Sequence, residues 1–246
     1  MKQMIPAALS ALVLALAAGS AGAQVANGNF NTLAGWSVGG DGAAVGGKLV
    51  LTTASASFVD DNVGGVDLAA GARNVSGHDP LAAGLDLEAF AGVAPGAFDP
   101  DPAHFVVAYE GSAASQSFAA AAGSTLSFKW DLSTLETSSD PSVADVAFVV
   151  IDGQVITLAN SLAATSAISG GDYASQTGWL DFSTTFANGG SHTIAFGVVD
   201  VGQYTDTSAL SVSAVSLSAV PESSGVAMMA AGLGLLALQA RRRRKS

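Results

Sequence analysis

The sequence predicts an all-β domain, a jelly roll or β-sandwich, between an N-terminal signal helix and a C-terminal transmembrane helix. Three observations support this prediction. The 196 residues of the middle region carry short apolar or alternating runs between clusters of Gly, Ser, Asp and Asn. Both ends of the chain are continuous apolar segments next to basic residues. A region of this length can bury one substantial core, so a single β-rich domain is the simplest organisation.

Residues 1–23 have the pattern of a secretory signal peptide. Lys2 supplies the positive start, an apolar stretch follows, and Ala21 and Ala23 form the small-residue cleavage site. This order of charge, apolar segment and small residues predicts cleavage by signal peptidase before Gln24, and export through the inner membrane. A buried N-terminal helix is the alternative, and it would not require that order.

Residues 24–219 are predicted to form the β-sandwich. Ser124–Leu132 alternates most clearly, with its apolar residues on one face and Ser, Lys and Asp on the other. Asp152-Gly153 lies between two apolar runs and predicts a two-residue hairpin. The predicted strands are Gly35–Val38, Lys48–Thr53, Ala56–Asp60, His104–Glu110, Ser115–Ala120, Thr125–Leu132, Val143–Asp152, Gln154–Leu158, Gly178–Phe186, His192–Val199 and Ala209–Leu217. Two of them, 143–152 and 192–199, are apolar on both faces, which predicts interior strands.

A different composition marks residues 61–103. This stretch holds four of the seven prolines and shows no sustained alternation. It is predicted to be a long irregular insertion, with one or two helical turns within Leu81–Phe90.

Residues 220–246 form a distinct tail. Gly225–Leu238 is an unbroken apolar run of 14 residues, and a basic end at 241–245 follows it. A helix over residues 223–240 would be about 27 Å long, close to the ~30 Å hydrocarbon core of a bilayer. The basic end is Arg241, Arg242, Arg243, Arg244 and Lys245, which predicts that this end stays on the cytoplasmic side. A C-terminal helix packed on the domain is the alternative, but a helix that is apolar all round disfavours it.

The tail resembles a known sorting signal. Val220, Pro221 and Glu222, followed by the apolar segment and the terminal Arg cluster, resemble the PEP-CTERM signal of Gram-negative bacteria. The motif of that family is Pro-Glu-Pro, and this chain has Ser223 at the third position. The resemblance implies that exosortase recognises and removes the tail. The helix would anchor the protein in the inner membrane first, and the processed protein would then reach the cell surface.

Charge and composition exclude several classes of protein. The whole chain carries a formal charge of −11. Without both ends, three cations (Lys48, Arg73 and Lys129) and 19 acidic residues remain, for a formal charge of −16. This balance excludes nucleic acid as a partner, because phosphate binding requires clustered Lys and Arg. The sequence contains no Cys, which excludes disulfides, thiol catalysis and Cys-ligated metal sites.

No catalytic residues are predicted. The three histidines lack metal-binding spacing, and neither GxSxG nor SxxK occurs. Two acidic loop pairs, Asp60 with Asp61 and Asp99 with Asp101, offer oxygen ligands of the kind that Ca²⁺ prefers. Solvated acidic loops are the alternative for both pairs.

Aromatic residues give a second resemblance and a candidate ligand site. Asn27-Gly28-Asn29-Phe30 and Gly35-Trp36 resemble the opening of galactose-binding-like jelly rolls and carbohydrate-binding modules. Trp36, Trp179 and Tyr204 lie near the ends of predicted strands or in loops, where an exposed ring can stack on a sugar. Core packing is the alternative, because large aromatic side chains are mostly buried.

Three functions are compatible with these features. The first, implied by the resemblance of the tail, is a non-enzymatic structural or adhesive protein of the extracellular matrix or envelope. The second is a module that binds extracellular polysaccharide. The third is a glycoside hydrolase, which would require two facing carboxylates in one cleft.

Overall fold

The computed structural model describes residues 24–218 and, beyond them, positions 232, 233 and 241. The predicted signal peptide lies outside the described residues, as does the sorting tail apart from those three positions. In chain order the strands are β1 (Ser37–Gly39), β2 (Asp41–Val45), β3 (Lys48–Thr52), β4 (Asn62–Val63), β5 (Val66–Asp67), β6 (Leu81–Ala82), β7 (Ala108–Ala120), β8 (Thr125–Thr134), β9 (Val146–Ile151), β10 (Gln154–Asn160), β11 (Ser166–Ala167), β12 (Ser175–Gln176), β13 (Leu180–Thr185), β14 (Gly190–Val201) and β15 (Ser208–Ser218). The helical segments are α1 (Asp86–Ala91) and short 3-10 turns at Pro102–His104, Pro141–Val143 and Ser161–Ala163.

Two antiparallel sheets pack against each other, which confirms the predicted all-β sandwich. The first sheet has the strand order β1-β7-β14-β9-β10, with β6 beside β7. The second sheet has the order β11-β12-β8-β15-β3-β2, with β13 also paired to β8. Strands β4 and β5 form a small separate hairpin. In the part of the chain that is described, no helix combines the length and apolar character needed to cross a bilayer.

Alternation along the long strands builds the core between the sheets. In β8, Leu126, Phe128 and Trp130 are buried on the inner face, as the sequence predicts. The first sheet supplies Ile194, Phe196 and Val198 of β14 to the same core. Burying a Leu, Ile, Val or Phe side chain fully contributes about 1.5–3 kcal/mol, so these rows hold the two sheets together.

The predicted insertion covers the outer face of the first sheet. Its helix α1 places Leu87 against this face, and Phe98 stacks on Phe148 of β9 with ring centroids 4.1 Å apart. Helix α1 overlaps the stretch Leu81–Phe90 that is predicted to contain one or two helical turns, and it ends one residue beyond it. The insertion therefore forms a second hydrophobic core, which explains why the sequences of β9 and β14 are apolar on both faces.

Turn chemistry confirms one local prediction. Asp152 and Gly153 join β9 to β10 with φ values of 51° and 77°. Positive φ at both central residues is the geometry of the two-residue hairpin that Asp-Gly favours.

Three strand predictions are corrected by the structure. Residues 56–60 form a bend rather than a strand, because the backbone N–H groups here donate to the carboxylates of Asp60 and Asp79. The two strands predicted over residues 104–110 and 115–120 are one continuous strand, β7. Strand β2 escapes prediction because it begins with Asp-Gly, a pair typical of turns.

Candidate functional site

A groove lies on the outer face of the second sheet. Its floor comes from outward-facing positions of three neighbouring strands: Val50 of β3, Ala209 and Ser211 of β15, and Asp131 and Ser133 of β8. The register sets these residues side by side, since Ser211 pairs with Val50 on one side and with Asp131 on the other. Inward neighbours of these residues build the core, so the same alternation produces core and groove.

Two segments remote in sequence form the walls. Residues 72–75 line the groove together with Asp172, Tyr173, Gln176 and Trp179, and the two segments meet at the ion pair between Arg73 and Asp172. The groove has a volume of about 440 Å³. Sites for small molecules usually measure about 300–1,000 Å³, so the groove has the size of a small-molecule site.

Trp179 presents an exposed aromatic surface in this groove. Its side chain is 47% exposed, and the Lys48 ammonium lies 5.9 Å from the centroid of its ring. Gly178 precedes it with a φ of +73°, a backbone conformation that residues with a side chain rarely adopt. Thr177 fixes this bend by hydrogen bonds to the backbone of Leu132 in β8. The structure thus places the predicted aromatic at the edge of a groove.

Arg73 is the second fixed group of the groove. Its Nη1 donates to Asp172 Oδ1 at 2.9 Å, and its guanidinium lies 5.8 Å from the Tyr173 ring centroid. The Arg73 Nε atom is buried and has no hydrogen-bond partner in the described part of the chain. A planar guanidinium held between a carboxylate and a ring has few alternative positions, which favours directional hydrogen bonding to a ligand.

The other polar groups of the groove are partly committed to the protein. Asp131 is buried on the floor, and its Oδ1 accepts a hydrogen bond from Thr177 Oγ1 at 3.1 Å. The Asn74 side chain donates to the carbonyls of Ala54 and His78 at 2.8 and 2.7 Å, which holds the 72–75 wall in place. Asp131 and Gln176 line the groove, whereas Asn74 holds one of its walls in place.

The two other predicted aromatic contacts have different surroundings. Trp36 is buried between Phe30 and Phe196, and its Nε1 donates to the Ala26 carbonyl at 2.9 Å. This burial leaves no ring face for a sugar, so the assignment of Trp36 as a glycan contact is wrong. Tyr204 is exposed, outside the groove, and its ring centroid lies 4.8 Å from that of Tyr109.

The acidic pairs considered for calcium hold loops together. Asp60 accepts from the Ser55 N–H at 2.5 Å, and Asp61 accepts from the Thr207 N–H at 2.8 Å. The other pair makes equivalent contacts, Asp99 with the Ala108 N–H and Asp101 with the His104 ring. Within the described residues, no group of three or more His, Asp or Glu side chains is arranged to hold a metal ion.

Sequence reasoning found Trp179 but missed the side chains around it. Arg73, Asp131, Tyr173 and Gln176 lie on three separate segments that only the fold brings together. One signal was available: Lys48 and Arg73 are two of the three Lys and Arg residues within 24–218, and both line this groove.

Comparisons with known proteins give little similarity. No protein-family model matches the chain, and no curated protein matches it. Among solved structures, the chain has a weak similarity to TmCBM61 in complex with β-1,4-galactotriose, with a TM-score of 0.28 and 12% sequence identity. The match covers 50% of this chain and 79% of that chain. A similarity at this level assigns neither a family nor a function.

Proposed function

We propose that this is an exported, surface-held protein that binds glycan in the groove beside Trp179. The observation that carries the proposal is an exposed indole next to Arg73, Asp131 and Gln176 in a groove of small-ligand size. An indole packs on the apolar C–H face of a pyranose ring, while planar polar side chains hydrogen-bond its hydroxyl groups. Binding of this kind would serve an adhesive or structural role in an extracellular matrix or envelope.

The charges of the groove favour an uncharged sugar. Its charged side chains are Lys48, Arg73, Asp131 and Asp172, which sum to zero. The ion pair with Asp172 already neutralises Arg73. An anionic polymer would also meet the repulsion of a domain whose formal charge is −16. We therefore expect neutral hexose polymers to bind better than uronate polymers.

The sequence of the two ends supports the proposed location. The signal peptide over residues 1–23 leads to export, and the tail over residues 220–246 holds the protein in the inner membrane until exosortase removes it. We also propose that the sandwich is a jelly roll. After export the groove lies outside the cell, where polysaccharide is available.

Affinity electrophoresis through gels that contain a panel of neutral and anionic polysaccharides tests the binding proposal. We expect the native protein to be retarded by at least one neutral polysaccharide. Trp179→Ala should weaken retardation about tenfold, because a stacking contact worth about 1.4 kcal/mol is lost.

Phe105→Ala is the matched control, because Phe105 is 88% exposed and lies outside the groove. This variant should migrate like the native protein. Equal retardation of the Trp179→Ala variant and the native protein would contradict the proposal, as would migration of the native protein that no polysaccharide changes.

A glycoside hydrolase is the competing function. The groove holds two carboxylates, Asp131 on the floor and Asp172 on the wall, and hydrolysis requires a pair of this type. We favour binding without hydrolysis, because Asp172 is paired with Arg73 and Asp131 with Thr177. Release of reducing sugar that Asp131→Asn abolishes would establish the hydrolase instead.

A further inference from the structure

Three carboxyl groups lie abreast at one end of the first sheet. Asp200 of β14 pairs directly with Glu110 of β7. On the other side, Val199 pairs with Val146 at the start of β9, so Asp145 continues the row beside Asp200. These three side chains point inward. Alternate residues of a strand share one face, and the residues at alternate positions along the same strands belong to the main core. We call Glu110, Asp200 and Asp145 the carboxyl row.

Two members of the row are buried side by side. Asp145 is 0% exposed and Asp200 is 2% exposed, and they adjoin the paired residues Val146 and Val199 on neighbouring strands, where opposite Cβ atoms are about 4.5–5.5 Å apart. Two carboxyl groups at this spacing can form a hydrogen bond only if one of them carries a proton, because an ionised carboxylate only accepts. Within the described residues, Asp200 Oδ1 and Glu110 Oε1 are buried without a hydrogen-bond partner, which leaves room for further protons.

The row joins the two sheets. Asp145 Oδ2 accepts from Ser208 Oγ, at the start of β15, at 2.5 Å. Asp145 Oδ1 accepts from the Val201 N–H, at the end of β14, at 3.2 Å. The row therefore connects the ends of strands in both sheets.

The groups that face the row are themselves acidic. The Asp and Glu residues that act on it electrostatically, directly or through one neighbour, are Asp60 and Asp61 after β3, Asp79 in the insertion, Glu136 after β8 and Asp206 before β15. The three described Lys and Arg residues are engaged elsewhere, Lys48 with Trp179, Arg73 with Asp172 and Lys129 with Asp181. No described cation therefore neutralises the row, and protons are the positive charge that remains.

We propose that the carboxyl row is a proton-binding site that locks this end of the sandwich, and that the lock opens as the medium becomes alkaline. In the locked state, the proton between Asp145 and Asp200 ties the end of β14 to the start of β15. Loss of that proton leaves two buried negative charges in contact, and these drive the strand ends apart.

Burial and the neighbouring charges fix the direction of the effect. Burial, reinforced by nearby acidic groups, raises the pKa of Glu110 to about 7 and raises the pKa values of Asp145 and Asp200 above the usual range of Asp. The folded state thus binds more protons than the unfolded state above the unfolded pKa of about 4. Stability then falls as the pH rises from about 4 through the raised pKa values, and it levels off above them.

Thermal unfolding of the full chain at pH 5 and pH 8 tests the lock. We expect the Tm of the native protein to be at least about 5 °C higher at pH 5. Asp200→Asn keeps the shape of the side chain but needs no shared proton. It should raise the Tm at pH 8 and reduce the difference between the two pH values by at least half. Asp181→Asn is the control. Asp181 is exposed and pairs with Lys129, outside the carboxyl row, so this variant should keep the native difference in Tm between pH 5 and pH 8.

Three results would overturn the proposal. A native Tm that is equal at the two pH values, or a native difference that survives in Asp200→Asn, would remove the role of the row. An increase of the Tm at pH 8 on addition of CaCl₂, lost in Asp200→Asn, would show that the row binds a divalent cation instead of a proton. If the variant does not fold, the infrared carbonyl band of protonated carboxyl groups in the native protein at pH 7 decides, and its absence would reject the site.

Discussion

Neighbouring tryptophans show how a single residue acquires its role. Trp130 of β8 pairs with Leu180 of β13, so the two side chains share one face of the second sheet, and Trp130 is buried there in the core. Trp179 comes one residue before Leu180, so alternation turns its ring to the outer side, where it borders the groove. The same indole contributes hydrophobic stability in one position and an exposed ligand surface in the other.

Arg73 provides a test of the groove at the residue scale. Arg73→Met removes the guanidinium that lies between Asp172 and Tyr173. We expect retardation in the polysaccharide gel to weaken about ten- to a hundredfold, because a charged hydrogen bond to the glycan is worth about 1.5–3 kcal/mol. The ion pair with exposed Asp172 contributes only about 0–1 kcal/mol to folding, so the variant should remain folded.

Lys129→Met is the matched control for that experiment. It also removes one cation from the second sheet, but Lys129 pairs with Asp181 and does not line the groove. Retardation of this variant should equal that of the native protein. An equal loss of retardation in both variants would indicate a general charge effect instead of a contact at Arg73.

Exposure of a single side chain is only partly predictable from the sequence. The burial of Trp130 follows from local alternation over Ser124–Leu132. The burial of Trp36 does not, because it depends on Phe196 from the opposite part of the chain. Arg73 and Asp172 are 99 residues apart, so no local pattern could place them in one site.

Strand β14 illustrates constraint at the scale of elements. It lies between β7 and β9, and its Gly197 is covered by the ring of Phe148. A methyl group at this position would collide with that buried ring. We expect Gly197→Ala to lower the free energy of unfolding by about 1–3 kcal/mol, measured by urea denaturation.

A double substitution separates the collision from other causes. Phe148→Leu removes the ring atoms that the new methyl group would meet. Gly197→Ala should therefore cost less in the Phe148→Leu background than in the native protein. Equal costs in the two backgrounds would show that the ring does not constrain this position.

The elements that the sequence predicts well are those with strong local signals. The Asp152-Gly153 hairpin and the alternation of β8 depend on neighbouring residues only. Strand β2 was missed because its stability comes from partners: Thr52 of β3 and the backbone of residues 75–76 bind the buried carboxylate of Asp41. Those partners lie up to 35 residues away, beyond the reach of a local pattern.

The distribution of charge is a property of the whole molecule. Lys48 and Lys129 lie at outward positions of the second sheet, and Arg73 lines the groove on the same side. The 19 acidic residues of the middle region are spread over the groove, the loops and the inner carboxyl row. The three Lys and Arg residues of the sandwich therefore lie on the side of an acidic domain that carries the groove.

Processing of the two ends is the prediction for the whole chain. Intact mass of the protein recovered outside a cell that makes exosortase should correspond to a chain that begins at Gln24 and lacks the basic end 241–245.

Pro221→Ala with Glu222→Ala should leave the tail attached and the protein in the membrane fraction, because the motif for the protease is lost. Replacing Arg241–Arg244 with Ala should lower the surface yield, since the cationic stop on the cytoplasmic side is removed. Thr137→Ala, in an exposed segment of the sandwich, is the control and should be processed normally. An unchanged mature mass in the Pro221 and Glu222 variant would reject exosortase processing. Because Trp179 and Arg73 lie outside the tail, such a result would leave glycan binding as a separate question for the Trp179→Ala experiment.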